Sequence, residues 1–141
     1  MQDVLWCDAE KIVVQAFAIA RERNLAIAVA VVDHGRELKA FGRADEAMLV
    51  TIQLAIGKAY TSCSMNRPTR DLAERTWSGS DLFGLETAHV PALVAIGGGA
   101  PLRRSGQLVG AVGISGGTPE QDHELAAWIA NQYEAETLED A

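Results

Sequence analysis

The 141-residue sequence has little positive charge and no long hydrophobic run. Its 12 Lys and Arg residues are outnumbered by 19 Asp and Glu residues, so the formal net charge is −7. Nucleic-acid-binding proteins need a basic stripe that displaces counterions from phosphates, and anionic membrane surfaces also attract basic segments. The longest apolar run, residues 25–32, is too short to span a bilayer. The composition therefore predicts neither a nucleic-acid partner nor a membrane partner.

Cysteine is also scarce, with only Cys7 and Cys63 in the chain. Two cysteines cannot form a disulfide scaffold, and their spacing does not match a metal site. The first residues lack the basic and apolar regions of a signal peptide. These absences predict a cytoplasmic protein with free thiols and no metal centre.

Helical patterns are predicted in four segments of the chain. Asp8 is expected to cap the first helix, Asp45 the second, and Thr118 the last, in which Pro119 takes the first position. The acidic tail after Glu134 is expected to fray. The helices are predicted to follow Asp8, to span 46–63 and 68–77, and to begin at Pro119.

Short apolar segments bounded by turn residues predict five strands in a single domain. Tight connections between them favour antiparallel pairing. The element order is α-β-β-α-α-β-β-β-α, which indicates an α+β fold with a five-stranded antiparallel sheet packed by helices. The predicted strands are 25–32, 37–41, 92–96, 102–104 and 107–115.

Lys58 stands in an apolar helical segment, between Gly57 and Ala59. A buried ammonium group needs a partner or a lowered pKa. Two interpretations remain open. The lysine forms an ion pair that joins helix to sheet, or it serves as an anion-binding or catalytic amine together with Arg43 and Asp45.

Two glycine clusters lie next to predicted strands. Residues 97–99 form either a strained turn or a place where backbone N–H groups approach a ligand. Residues 116–117 precede the last helix, so their N–H groups could bind an anion. Ser115 has the Gly-x-Ser-x-Gly spacing of a nucleophile elbow, but the antiparallel sheet and the order of the acid and histidine fit that motif poorly.

The three histidines are far apart in sequence and have no zinc-binding spacing. His34 lies in a turn beside Asp33, His89 in an irregular segment, and His123 in the last helix. His34 and His89 are the better candidate ligands because loops carry function more often than helices.

Five motifs occur in a fixed order along the chain: VVDHG at 31–35, RADEA at 43–47, AIGKAYT at 55–61, GGAPL at 98–102 and VGAVGISGG at 109–117. This ordered set resembles the GlcG/HbpS family, which includes the C-terminal domain of PduO proteins. The resemblance extends from about Asp8 to Ile129. Two residues depart from it, because Arg36 and Glu46 stand where the family often has glycine.

The resemblance implies a profilin-like fold, homo-oligomers ranging from dimers to octamers, and binding of haem or a related tetrapyrrole or corrinoid. In that case Arg43, Lys58 or the 98–99 amides could meet the propionates, and His34 or His89 could be the axial ligand. The candidate ligand-binding residues are Arg43, Asp45, Lys58, Gly98, Gly99, Pro101, Ser115 and His89.

A second hypothesis is a cofactor-independent lyase, isomerase or hydrolase with its pocket at a subunit interface. Lys58 and Arg43 would bind or polarise an anionic or carbonyl substrate, while Asp33, Asp45 or His34 would act as acid or base. A third hypothesis is an accessory protein within a larger complex.

Overall fold

A computed structural model describes residues 2–139 of the chain. Three helices and four strands make up the regular structure, and three short 3-10 helices lie between the second helix and the third strand. The long elements are α1 (Trp6–Glu22), β1 (Ala28–Asp33), β2 (Leu38–Arg43), α2 (Val50–Met65), β3 (Gly99–Arg104), β4 (Gln107–Ser115) and α3 (Pro119–Glu139). The 3-10 helices are Thr69–Leu72, Glu74–Thr76 and Leu85–Thr87.

The strands form one antiparallel sheet in the order β2-β1-β4-β3. The α+β class and the antiparallel pairing are confirmed, but the described chain has a four-stranded sheet, and the prediction of five strands was wrong. The missing strand is segment 92–96. Threonine side chains, rather than a neighbouring strand, bond two backbone groups of this segment. Val94 N–H donates to the Thr61 hydroxyl at 2.8 Å, and Ile96 O accepts from the Thr69 hydroxyl at 2.6 Å.

The second and third predicted helices differ from what the structure shows. Helix α2 begins at Val50 and Leu49 is its N-cap, so Asp45 does not cap it. Residues 44–49 instead form turns, one of which is closed by a hydrogen bond from Ala47 N–H to Ala44 O at 3.0 Å. The predicted helix 68–77 is divided into two short 3-10 helices, and only its start near Pro68 agrees.

The ends of the first and last helices can be explained from local chemistry. Helix α1 begins two residues before Asp8, which lies in its first turn rather than at its cap. Helix α3 begins as predicted: Thr118 Oγ1 accepts from Gln121 N–H at 3.2 Å, and Gln121 Oε1 accepts from Thr118 N–H at 2.9 Å. This is a reciprocal capping box. The helix continues to Glu139, five residues beyond the point after which the sequence predicts fraying, and residues 140–141 lie outside the described part of the chain.

The sheet separates two apolar layers. One layer contains α1 and α3, packed on Val29, Val31 and Val112, and the other contains α2, packed on residues such as Ala30 and Ala111. Helix α2 lies very close to the sheet at Gly113, where a Cβ atom would collide with the backbone of Ala55 and Ala59. No helix within residues 2–139 is long and apolar enough to cross a membrane.

Candidate functional site

The structure separates the predicted site residues into distinct places rather than one pocket. Lys58, Gly98 and Gly99 lie together in the interior, under the α2 layer. His34 and His89 lie near the C-terminal half of α2. Arg43, Asp45 and Ser115 line a groove near the N-terminal end of the same helix.

Lys58 forms a buried ion pair between α2 and α3. Its Nζ donates to Asp122 Oδ2 at 3.2 Å and to Ile114 O at 2.9 Å, and both side chains of the pair are only 3% exposed. The other carboxylate oxygen of Asp122 accepts from Gly117 N–H at 2.8 Å. The pair therefore joins two helices to the end of β4.

Burial lowers the pKa of Lys58, and the neighbouring carboxylate of Asp122 opposes that shift. Gly98 lies against the amine, and a Cβ atom at that position would be only 2.8 Å from Lys58 Nζ. An enclosed ammonium group with two acceptors and no open surface has the arrangement of a structural ion pair. Of the two interpretations of Lys58, this geometry favours the one that joins helix to sheet.

The backbone groups of the glycine clusters are used inside the protein. Gly99 N–H donates to the Thr69 hydroxyl at 2.9 Å, and Gly98 O accepts from Ile114 N–H at 2.9 Å. Gly117 N–H is likewise bonded to Asp122. Pro101 lies apart from these residues and lines a separate cavity of about 250 Å³ beside α3. The structure thus gives the glycines internal hydrogen bonds and close packing.

Asp33 and His34, two of the alternative acid–base candidates, lie where β1 ends and the turn to β2 begins. The Asp33 carboxylate accepts from Glu37 N–H at 3.0 Å, which closes the turn. The His34 backbone N–H donates to Asp3 at 2.7 Å. The turn is tied to α2 because Cys63 Sγ lies 3.5 Å from Asp33 O and 3.7 Å from His34 O. Burial raises the pKa of the Cys63 thiol to about 11.

Three side chains from separate parts of the chain stack beside this turn, and we call them the Arg36–Tyr60–His89 stack. The Arg36 guanidinium carbon lies 4.8 Å from the centre of the Tyr60 ring, which is a cation–π distance. The His89 ring centre lies 5.9 Å from that of Tyr60. Arg36 also donates to Ser64 at 3.3 Å and has a positive φ of 68°, a conformation that favours glycine.

The orientation of His89 is fixed by its backbone neighbour. Its Nδ1 lies 3.0 Å from Pro91 O. A carbonyl oxygen only accepts hydrogen bonds, so Nδ1 carries a proton, and in the neutral ring the lone pair is on Nε2. This tautomer is the one that presents Nε2 to a metal ion or an acidic proton.

The third histidine, His123, is buried in α3 near Gly97. Its Nδ1 has no hydrogen-bond partner within the part of the chain that the structure describes, and burial lowers its pKa, with a smaller contribution from Arg70. The described residues contain no cluster of three or more His, Cys, Asp or Glu side chains that could hold a metal ion.

Arg43, Asp45 and Ser115 line two adjoining cavities at one end of the sheet, and we call this space the sheet-end groove. The first cavity, of about 350 Å³, contains Arg43 and Asp45, and the second, of about 340 Å³, contains Ser115. Leu25, Ala26 and Glu46 line both cavities. These predicted residues are therefore neighbours, although Lys58 is not among them.

Several residues that form the contacts described above were not assigned a role from the sequence. Asp122 is 64 positions from Lys58, and no local pattern links the two. Arg36 stood out only as a departure from glycine. Tyr60 and Ser64 are four residues apart, which places them on one face of a helix and could have indicated a shared partner for Arg36.

The chain is thus a small α+β domain with a half-buried histidine, a tilted contact between that histidine and a tyrosine, and an open groove. The chain belongs to the HbpS-like family: the family described as "Haem degrading protein HbpS-like" matches residues 5–130. The resemblance to GlcG, HbpS and PduO proteins is thereby confirmed.

Three relatives illustrate the range of that family. The chain is 36% identical to an uncharacterized 15.0 kDa protein from the dhaT-dhaS intergenic region of Citrobacter freundii, covering 84% of this chain and 83% of that one. It is 39% identical to the corrinoid adenosyltransferase PduO of Salmonella typhimurium over 76% of this chain, but spans only 32% of that protein. The structure of a PduOC–heme complex has a TM-score of 0.86 and 32% identity, covering 92% of this chain and 94% of that one.

Proposed function

We propose that this protein binds haem at the Arg36–Tyr60–His89 stack, where His89 Nε2 would hold the iron. The carrying observation is the 3.0 Å hydrogen bond between His89 Nδ1 and Pro91 O, which leaves Nε2 of the neutral ring as the nitrogen that can bind a metal. Metal-binding histidines commonly donate their second nitrogen to a backbone carbonyl in this way. The similarity to the PduOC–heme complex supports the choice of ligand.

The surroundings of His89 suit an amphiphilic macrocycle. Tyr60 supplies an aromatic surface beside the histidine, and Val90, which is 93% exposed, extends the apolar surface. Arg36 forms no ion pair with a carboxylate within residues 2–139, so its guanidinium is available to a propionate. The site thus combines a nitrogen ligand, apolar contact and one cation.

Bound haem would supply a redox-active iron, and the chain's own residues would control its position. Pro91 O holds the imidazole ring in one orientation and Tyr60 limits its rotation. Arg36 would bind a propionate, and its hydrogen bond to Ser64 restrains the long side chain. Lys58 takes no part in this proposal, because it is enclosed in its pair with Asp122.

A haem titration of matched histidine variants tests the proposal. We expect the wild type to shift the Soret band and saturate at one haem per chain. His89→Ala should weaken haem binding about tenfold or more because it removes the coordinating nitrogen. His34→Ala is the matched control, since that residue lies on the same side of the protein but outside the stack, and it should bind haem like the wild type.

Rescue with free imidazole separates coordination from a structural effect. Imidazole added to His89→Ala should restore the wild-type spectrum if the ring nitrogen is the ligand. The proposal is wrong if the wild type produces no Soret shift, or if His89→Ala binds haem as tightly as His34→Ala does.

We also propose that the protein forms a homo-oligomer, with a surface of α1 and β2 as one of its contacts. The strand β2 is an edge of the sheet, so one side of its backbone has no strand neighbour. Trp6, Val14 and Leu38 are each more than half exposed beside that edge and line a shared depression. Analytical ultracentrifugation should find an oligomer that Leu38→Asp dissociates. A monomeric wild type would contradict this proposal.

A further inference from the structure

His123 is a buried titratable side chain that the proposed function does not use. It lies in the second turn of α3 and is only 8% exposed. Its Nδ1 atom is buried, and no group within residues 2–139 forms a hydrogen bond with it. Buried polar atoms in native proteins normally have a partner, so this nitrogen requires a physical explanation.

The environment of His123 suits the neutral ring better than the charged ring. A neutral imidazole with its proton on Nε2 presents only a lone pair at Nδ1, whereas the imidazolium carries an N–H at both nitrogens. The added N–H at Nδ1 would be a buried donor without an acceptor, and leaving such a group unpaired is costly. Burial accordingly lowers the pKa of His123 below the ordinary value of 6.5, and Arg70 lowers it further.

His123 lies against the chain segment 96–99, which we call the 96–99 loop. A Cβ atom at Gly97 would be 3.3 Å from the Cβ of His123 and 2.6 Å from Pro119 O. Pro119 and His123 are four residues apart, so they share one face of α3. Gly97 packs on that face with no space for a side chain, so a displacement of His123 acts directly on the loop.

Thr69 bonds both ends of the same loop. Its hydroxyl donates to Ile96 O at 2.6 Å and accepts from Gly99 N–H at 2.9 Å. Within the loop, Gly98 O accepts from Ile114 N–H at 2.9 Å. The loop is thus held by packing on α3 and by three hydrogen bonds, two of which have an amide N–H as donor.

The charged groups around His123 are divided between two elements. Arg70 and Asp71 act on it from the 3-10 helix that begins at Thr69, and Glu120 and Glu124 act from its own helix. The 96–99 loop has no titratable side chain. Aspartate and glutamate ordinarily titrate near pH 4 and histidine near pH 6.5, so an effect between pH 7 and pH 5 is attributable to histidine.

We propose that His123 is a pH-sensitive switch: the neutral side chain keeps the 96–99 loop packed on α3, and protonation releases the loop. Protonation forms an N–H bond at Nδ1 and places a positive charge in a buried site, so the ring must move to reach water or an acceptor. Gly98 of the loop lies against the Lys58–Asp122 ion pair, and release of the loop admits water there. None of these residues belongs to the Arg36–Tyr60–His89 stack, so the switch is independent of haem binding.

Proton linkage gives the sign and the size of the effect. The pKa of His123 is lower when the loop is closed than when it is open, so the open form binds more protons and gains population as the pH falls. With an open-form pKa of about 6.5, the ratio of closed to open loop falls by at most about 25-fold between pH 7 and pH 5. The fall begins near pH 6.5 and stops once the closed form is protonated as well.

Amide hydrogen exchange of the full chain between pH 7 and pH 5 tests the switch. The amides of Gly99 and Ile114 report on the loop, because each N–H forms one of its hydrogen bonds. We expect their protection factors, corrected for the intrinsic exchange rate at each pH, to fall by about threefold to 25-fold. The N–H of Val4, bonded to Val109 O at 3.0 Å, is the internal control and should keep its protection.

Variants without a titratable group at this position assign the effect to His123. His123→Phe keeps a ring, and His123→Gln keeps a polar side chain in case the larger ring does not fit. Both should hold the protection of Gly99 and Ile114 constant between pH 7 and pH 5. His34→Gln removes a histidine from the β1–β2 turn instead, and it should show the same fall as the wild type.

Two exposed neighbours of opposite charge test the electrostatic part without changing His123. Arg70→Gln removes a cation that disfavours protonation of the closed form, so the fall in protection should become smaller. Asp71→Asn removes an anion that favours it, so the fall should become larger.

The proposal is overturned if Gly99 and Ile114 keep the same protection from pH 7 to pH 5, or if a folded His123→Phe or His123→Gln retains the wild-type fall. An equal fall at Val4 would also overturn it, because the whole domain rather than the loop would then open.

Discussion

The buried pair of Lys58 and Asp122 allows a quantitative test of what holds α2 and α3 on the sheet. Replacing Lys58 with Met removes the cation but keeps most of the side-chain volume. Asp122 would then remain buried with one hydrogen bond from Gly117 N–H, and Ile114 O would lose its donor. Leaving one member of a buried pair uncompensated costs about 3–5 kcal/mol.

That loss is large compared with the stability of a domain, which is typically about 5–15 kcal/mol. We therefore expect Lys58→Met to lower the midpoint of urea unfolding strongly, as measured by circular dichroism at neutral pH. Asp122→Asn should cost about as much, because it leaves a buried ammonium group with only neutral acceptors. The double variant Lys58→Met/Asp122→Asn should be more stable than either single variant, because no unpaired charge remains.

The double-mutant cycle also gives the result that would refute this reasoning. If each single variant lost less than about 1 kcal/mol, the pair would behave like an exposed salt bridge. If the two losses were simply additive, the groups would not interact. Lys11→Met, a change at an exposed position, is the control for replacing a cation.

Four further measurements test individual features of the structure. Thr118→Ala should destabilise the protein by about 1 kcal/mol in urea unfolding, because it removes the N-cap of α3, and equal stability would contradict the cap. Gly113→Ala should cost about 1–3 kcal/mol, because its Cβ would collide with Ala55 O, and a smaller loss would show that α2 moves freely. At pH 8 only the exposed Cys7 should react rapidly with a thiol reagent, since the thiol of Cys63 is buried. The pKa of Cys63 is raised from 9.0 to about 11 in the folded state, so the unfolded chain releases this proton first. Stability should therefore fall by about 3 kcal/mol between those pH values, and Cys63→Ala should remove that part of the pH dependence.

Elements that are stabilised by contacts between residues close in sequence could be predicted from local patterns. Thr118 and Gln121 are three positions apart, so the cap of α3 could be predicted from sequence alone. The failure at 92–96 has a different origin. Its apolar residues are partly buried, but the hydroxyl groups of Thr61 and Thr69 bond its backbone. Such distant partners cannot be identified from the sequence of the segment itself.

The candidate sites show the same division between local and long-range information. The apolar neighbours of Lys58 correctly indicated a buried amine, whereas its partner Asp122 comes from another helix. His89 was singled out as a loop histidine, but its stacking on Tyr60 and the placement of Arg36 depend on tertiary packing. Asp45 lies in a turn rather than at a helix cap. Its residue type cannot distinguish the two, because aspartate favours both turns and N-caps.

Helix α2 contributes to two separate places, with Thr51 lining the sheet-end groove and Tyr60 in the Arg36–Tyr60–His89 stack. Nine residues separate them, which corresponds to about 14 Å along the helix axis. The midpoint of this helix is held by the Lys58–Asp122 ion pair and lies against Gly113. An effect of haem binding at Tyr60 on the groove would therefore have to pass through a helix that is fixed to the sheet at its centre.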